Sequence, residues 1–71
     1  MSYQSALDRL IGQNGVVVET IPADLRGRGV IKVAGQLWSA ETNWLDPIPA
    51  GADVLVMGRD NLILAVLPER I

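Results

Sequence analysis

Residues 29–40 read GVIKVAGQLWSA, two runs of strand-forming residues on either side of Ala34 and Gly35. Valine, isoleucine and tryptophan favour strands, and a glycine in a two-residue connection can supply the positive φ of a tight hairpin. We therefore expect an antiparallel hairpin with strands over residues 29–33 and 36–42.

The second of these strands alternates, because successive side chains of a strand point to opposite sides. Trp38 and Ala40 share one face, and the other face carries Leu37, Ser39 and Glu41. We expect the face with Trp38 to look into a hydrophobic core and the indole to be buried there.

Three further apolar runs, at residues 16–21, 53–58 and 62–67, are bounded by Gly, Pro, Asn or Asp, which is typical of short strands. The loop 22–28 and the turn 59–61 have hairpin compositions, and Pro47 and Pro49 forbid a regular helix between the third and fourth strands. Without a helical crossover there is no parallel βαβ unit. The pattern predicts an all-β fold, a five-stranded OB-fold-like Greek-key barrel, and leaves an SH3-like barrel open.

The first residues have a different pattern. Tyr3, Leu7, Leu10 and Ile11 recur at helical spacing, and Gly12 ends the pattern. We expect a short N-terminal helix over residues 3–11, and we divide the chain into an N-terminal helical segment, 1–13, and the barrel, 14–71.

Composition limits the chemistry of the chain. Its 71 residues include no cysteine and no histidine, and 49% are hydrophobic against 20% charged. These values indicate a folded domain with no disulfide and no ordinary zinc site. A serine nucleophile such as Ser39 would need activation by the single lysine, Lys32, and a cross-strand polar pair is the simpler interpretation. We predict no catalytic residue, no metal site and no cofactor.

A nucleic-acid site is the alternative function. Arg26, Arg28 and Lys32 cluster on the first predicted hairpin, and OB folds bind single strands with basic grooves and stacked aromatic residues. The chain has only two Trp, one Tyr and no Phe, and its net charge is −2. Charge and aromatic content therefore argue against nucleic acid as a partner.

The last two strands are apolar on both faces. One face of residues 54–57 and 62–67 can fill the barrel, and the other needs a cover. We assign partner binding to this second face and to the loop tryptophan of residues 43–45, with the loop folding back over the barrel end as an equal alternative. The predicted partner-binding residues are Trp44, Leu55, Met57, Ile63 and Ala65.

Four segments, 11–17, 29–40, 48–56 and 62–66, resemble the C-terminal soluble domain of NfeD family proteins. The most specific pieces are GQLWSA at residues 35–40 and IPAG at residues 48–51. The resemblance implies an OB-like barrel that follows transmembrane helices. It also implies work with stomatin- or flotillin-type membrane proteins in membrane organisation or membrane protein quality control.

Residues 1–13 would then be juxtamembrane, and anchoring would depend on a segment absent from this chain. We expect the barrel of the full-length protein on the cytoplasmic side of a membrane, or in the cytoplasm if it is free-standing. Some family members carry a Ser-Lys protease domain, but no segment here resembles it. We therefore expect a non-enzymatic interaction module whose partner is a stomatin- or flotillin-like protein or another copy of itself.

Overall fold

The computed structural model describes residues 7–69, which form a closed five-stranded barrel preceded by one turn of 3-10 helix. All five predicted strands are present, with ends within two residues of their expected positions. The elements are the 3-10 turn Asp8–Leu10 and the strands β1 (Asn14–Glu19), β2 (Gly29–Val33), β3 (Gln36–Glu41), β4 (Asp53–Asp60) and β5 (Ile63–Pro68).

The strand order around the barrel is β1-β2-β3-β5-β4, and β4 closes onto β1. Strands β1 to β3 form an antiparallel meander, whereas β5 inserts between β3 and β4 and runs parallel to β3. The expected OB-type barrel is confirmed. None of the helical structure in residues 7–69 is long and apolar enough to cross a bilayer.

The core lies inside the barrel and draws on every strand. The alternation of β4 and β5 turns Val54, Val56, Leu64 and Val66 inward. The other buried apolar side chains are Leu7, Leu10, Val17, Ile21, Ile31, Val33, Ala40 and Ile48. The remaining side of β4 and β5 therefore faces outward.

Both tight hairpins use left-handed backbone. Gly35 has a φ of 79°, as predicted, and Ala34 beside it also has a positive φ of 52°. Strand β4 continues to Asp60, so the second hairpin turns on Asn61, with a φ of 60°, and Leu62. Its loop is shorter than the predicted turn 59–61.

The predicted helix over residues 3–11 is wrong for the part that the structure describes; Tyr3 lies outside that part. Leu7 and Leu10 are buried, but the chain leaves the helical region at Ile11, where ψ is 128°. The Gly12 N–H donates to the Val56 carbonyl at 2.8 Å, and the Val56 N–H donates to the Gln13 carbonyl at 2.9 Å. Pairing with β4 therefore replaces the next helical turn.

Trp38 is only half-buried, contrary to the expectation of a buried indole. It packs against the core from the same side of β3 as the fully buried Ala40. Its Nε1 is buried and has no hydrogen-bond partner among the described residues. The reason is its position: β3 pairs with β5 only at Ala40 and Glu41, so Trp38 lies near the open end of the barrel.

Candidate partner-binding surface

The outward side of β4 and β5 carries four of the predicted partner-binding residues. Leu55 is opposite Leu67, and Ala65 is opposite Gly58. Met57 lies in the bulge between Val56 and Gly58, where it has no register partner, and its exposed fraction is 52%. A bulge re-aims side chains, so Met57 stands out from the sheet while Leu55, Ile63 and Ala65 are half-buried.

Met57 and Ala65 belong to one open groove, which we call the Met57 groove. Leu25, Val66 and Leu67 are the other apolar residues of its lining, and its volume is about 280 Å³. Polar residues Glu41, Thr42 and Asn43 also line it. An apolar floor beside polar groups is the composition of a protein interface.

Leu25 reaches this groove through a strained turn. Asp24 and Leu25 have φ values of 54° and 57°, a region that a bulky side chain rarely adopts. The Leu25 N–H donates to the Thr42 carbonyl at 2.8 Å, and the Arg26 N–H closes the turn on the Ala23 carbonyl at 3.0 Å. Strain of this kind persists where surrounding contacts enforce it, often at functional sites.

Trp44 lies in a second groove, the Trp44 groove, of about 500 Å³, and not in the Met57 groove. The Trp44 side chain is half-buried. The sequence left two roles open for it, an exposed interface residue and a cap over the end of the barrel, and its exposure is intermediate between them. Its carbonyl accepts the Asp24 N–H at 2.8 Å, and its N–H donates to Thr42 Oγ1 at 3.1 Å.

Leu55 and Ile63 line neither of these grooves. Leu55 lies in register between Asn14 of β1 and Leu67 of β5. Ile63 pairs with Asp60 at the β4–β5 hairpin. The structure therefore brings Met57 and Ala65 together and spreads the other predicted residues around them.

Sequence reasoning missed Leu25 and Leu67 as lining residues. Leu67 was visible as the end of an apolar run, but its direction depends on the bulge at Met57. Leu25 was the one large apolar side chain in a loop of Pro, Asp, Arg and Gly. That contrast was the available signal.

The basic residues of the alternative nucleic-acid site lie elsewhere. Arg26, Arg28 and Lys32 are all exposed, and Lys32 sits on the outer face of β2 across from Val16 and Leu37. Within β2 and β3 the aromatic side chain is Trp38, which packs against the core. The outer face of these two strands therefore offers no aromatic stacking platform.

Residues 7–69 contain no group of three or more Cys, His, Asp or Glu that could hold a metal ion. Ser39 is opposite Val30, and Lys32 is opposite Leu37, so the two polar side chains are diagonal neighbours on the outer face. The arrangement is that of an exposed strand surface.

A model of the NfeD-like C-terminal, partner-binding domain matches residues 7–68. The chain belongs to this family. Among solved structures, the NfeD domain is similar to the C-terminal domain of a stomatin operon partner protein from Pyrococcus horikoshii. The identity is 37%, the TM-score is 0.79, and the match covers 96% of this chain and all (100%) of that one. The soluble domain of the NfeD protein YuaF from Bacillus subtilis is 29% identical with a TM-score of 0.76, over 90% and 79% of the two chains.

A longer relative contains a segment that matches this NfeD-like domain. A membrane-bound protease of Pyrococcus horikoshii is 40% identical over 63 residues, which are 89% of this chain. The chain spans only 13% of the length of that relative. The soluble domain of a Corynebacterium glutamicum membrane protein is 23% identical over 90% and 98% of the two chains. Its TM-score of 0.79 shows a shared fold.

Proposed function

We propose that this NfeD-like domain is a non-enzymatic protein interaction module that binds a stomatin- or flotillin-type membrane protein, or a second copy of itself, through the outward side of β4 and β5. The observation that carries this proposal is the Met57 groove, an apolar groove on a domain whose family is described as partner-binding. Trp44, Leu55, Met57, Ile63 and Ala65 are the residues proposed to contribute.

The exposure of the surface supports a binding role. Met57 and Leu25 expose 52% and 58% of their surface, and Leu67 lies beside them half-buried. Apolar side chains that converge on a groove release ordered water when a partner covers them. Methionine also adapts its shape to a partner better than a branched side chain does.

The partner class is supported by the relatives. One solved relative is named as a stomatin operon partner, and a longer relative is named as membrane-bound. We extend both properties to this domain as part of the proposal. In the full-length protein the barrel would follow a membrane anchor outside this chain, with residues 1–13 as the juxtamembrane segment, 14–71 as the barrel and the cytoplasm as its compartment.

The non-enzymatic part of the proposal is supported by the family description, which names binding and not catalysis. The protease in the name of the longer relative is a property of a protein in which the matching segment is a small part. Protease activity is therefore not extended to this domain.

Exchange of Met57 for Glu tests the proposal. A charge in the Met57 groove would have to be desolvated on binding, so we expect M57E to weaken binding of a purified stomatin-type protein from the same organism by at least about tenfold. Surface plasmon resonance measures this affinity, and sedimentation velocity measures self-association.

The matched control is Leu37→Glu, because Leu37 is 62% exposed on the outer face of β3 and lies outside both grooves. We expect L37E to bind as the unchanged domain does. Equal affinity for M57E and the unchanged domain, or no binding to either kind of partner, would refute the proposal.

A further inference from the structure

The Trp44 groove combines apolar walls with acidic groups. Its lining includes Trp44, three prolines, Pro47, Pro49 and Pro68, and two aspartates, Asp46 and Asp53. No lysine or arginine is among the described residues that line it. An indole, proline rings and carboxylates in one concave surface favour a ligand that is both apolar and cationic.

The carboxylates of this groove have no cationic partner among residues 7–69. The ion pair described in that range joins Arg59 Nε to Asp8 Oδ1 at 2.6 Å, beside the 3-10 turn. Asp46 and Asp53 are both exposed, so water solvates them in the free domain. A cation entering the groove would meet two carboxylates that have no cationic partner among residues 7–69.

The walls of the groove are held by backbone hydrogen bonds. Ile21 and Ile48 exchange two N–H···O bonds of 2.9 Å, and the Gly51 N–H donates to the Val17 carbonyl at 2.7 Å. The backbone of Trp44 is held by its hydrogen bonds with Asp24 and Thr42. Because its frame is fixed before binding, a ligand loses little free energy in ordering the groove.

We propose that the Trp44 groove binds an arginine side chain, flanked by apolar residues, in an extended segment of the partner protein. Arginine fits better than lysine because its planar guanidinium can stack on an indole and pair with a carboxylate at the same time. The inference rests on the proposed interaction role and adds the chemistry that the partner must present. It also gives Trp44 a role separate from that of the Met57 groove.

Nuclear magnetic resonance titration of the ¹⁵N-labelled domain with the peptide Ac-Leu-Arg-Leu-NH₂ tests the proposal. We expect weak, saturable shifts of the Trp44 indole N–H and of the amides of Gly51, Ala52 and Asp53. The same peptide with citrulline in place of arginine keeps the shape without the charge, and it should bind at least about fivefold more weakly. The lysine peptide should fall between the two.

Matched variants test whether the carboxylates of Asp46 and Asp53 bind the arginine side chain. Asp46→Asn and Asp53→Asn should each weaken the arginine peptide about two- to fivefold, as expected for exposed ion pairs. Asp60→Asn makes the same change of charge at the β4–β5 hairpin, outside the groove, and should leave the affinity unchanged.

Equal binding of the citrulline peptide, equal effects of D53N and D60N, or shifts outside the groove would each overturn the inference. The result is separable from the proposed function. If M57E loses partner binding and the unchanged domain does not bind the arginine peptide, the proposed function stands and this inference fails. If the arginine peptide binds and M57E does not weaken the binding of any partner, this inference stands and the proposed role of the Met57 groove fails.

Discussion

Thr42 is hydrogen-bonded to residues of both grooves, Trp44 of one and Leu25 and Val66 of the other. Its side chain is 1% exposed, and Oγ1 donates to the Val66 carbonyl at 2.6 Å while accepting the Trp44 N–H at 3.1 Å. Its carbonyl also accepts the Leu25 N–H at 2.8 Å. One hydroxyl and one carbonyl thus position Trp44 in one groove and Leu25 in the other.

Replacement of Thr42 by Val measures how much the Thr42 hydroxyl contributes to the stability of the domain. Valine fills nearly the same volume but leaves the Trp44 N–H and the Val66 carbonyl without this partner, so we expect the free energy of unfolding to fall by about 1–3 kcal/mol. Urea denaturation gives this value. We also expect the Trp44 indole signal to move.

The control is Thr20→Val, since Thr20 is exposed in the loop after β1 and should change stability by less than about 0.5 kcal/mol. A loss in T42V no larger than in T20V would show that the hydroxyl does not hold the loop.

Residue positions show the limit of sequence reasoning. The alternation of β3 correctly put Trp38 and Ala40 on one face, but it could not show that β5 pairs with β3 only at Ala40 and Glu41. That long-range pairing leaves Trp38 half-buried. The role of Thr42 was equally hidden, because a threonine at a strand end gives no sign of hydrogen bonds to β5 and to two separate loops.

At the scale of elements, the β2–β3 hairpin is a tight turn with one unfavourable residue. Both central residues have positive φ, and Ala34 adopts it at 52° without the freedom of glycine. The left-handed region costs an ordinary L-residue about 1–2 kcal/mol, and Asn tolerates it better. The hairpin therefore forms against a local preference of Ala34, supported by the five paired positions of β2 and β3.

Ala34→Asn should stabilise the domain. We expect the free energy of unfolding to rise by about 0.5–1 kcal/mol, which raises Tm by several degrees in a domain of this size. Calorimetry measures the change. Ala50→Asn serves as the control because Ala50 is an exposed turn residue without positive φ. An equal gain in both variants would show that backbone conformation is not the cause.

Element prediction was accurate for strands and wrong for the first segment. Strand runs bounded by Gly, Pro, Asn and Asp gave ends within two residues because turn residues and apolar alternation agree there. In the described part of the predicted helix, the apolar residues Leu7, Leu10 and Ile11 recur at helical spacing. The residues that follow, Gly12 and Gln13, instead form backbone hydrogen bonds with Val56 of β4. A tertiary backbone pairing overrode a weak local preference, which the sequence pattern does not report.

On the scale of the whole molecule, the barrel separates its surfaces by chemistry. The outer side of β4 and β5 is apolar around Met57, and the loop from β3 to β4 carries the acidic Trp44 groove. The basic residues Arg26, Arg28 and Lys32 lie in β2 or in the loop before it. Sequence pattern predicted the barrel and the two-sided apolar strands. It could not group Leu25, Met57 and Leu67, because a groove depends on contacts between distant loops and on one bulge.

The measurement that tests the central claim most directly is an amide footprint of a purified stomatin-type protein on the ¹⁵N-labelled domain. We predict that the signals of Met57, Ala65 and Leu67 shift or broaden on binding, while those of Lys32 and Leu37 on the β2–β3 face do not. A footprint centred on Lys32 and Leu37, with Met57 and Ala65 unaffected, would contradict the account.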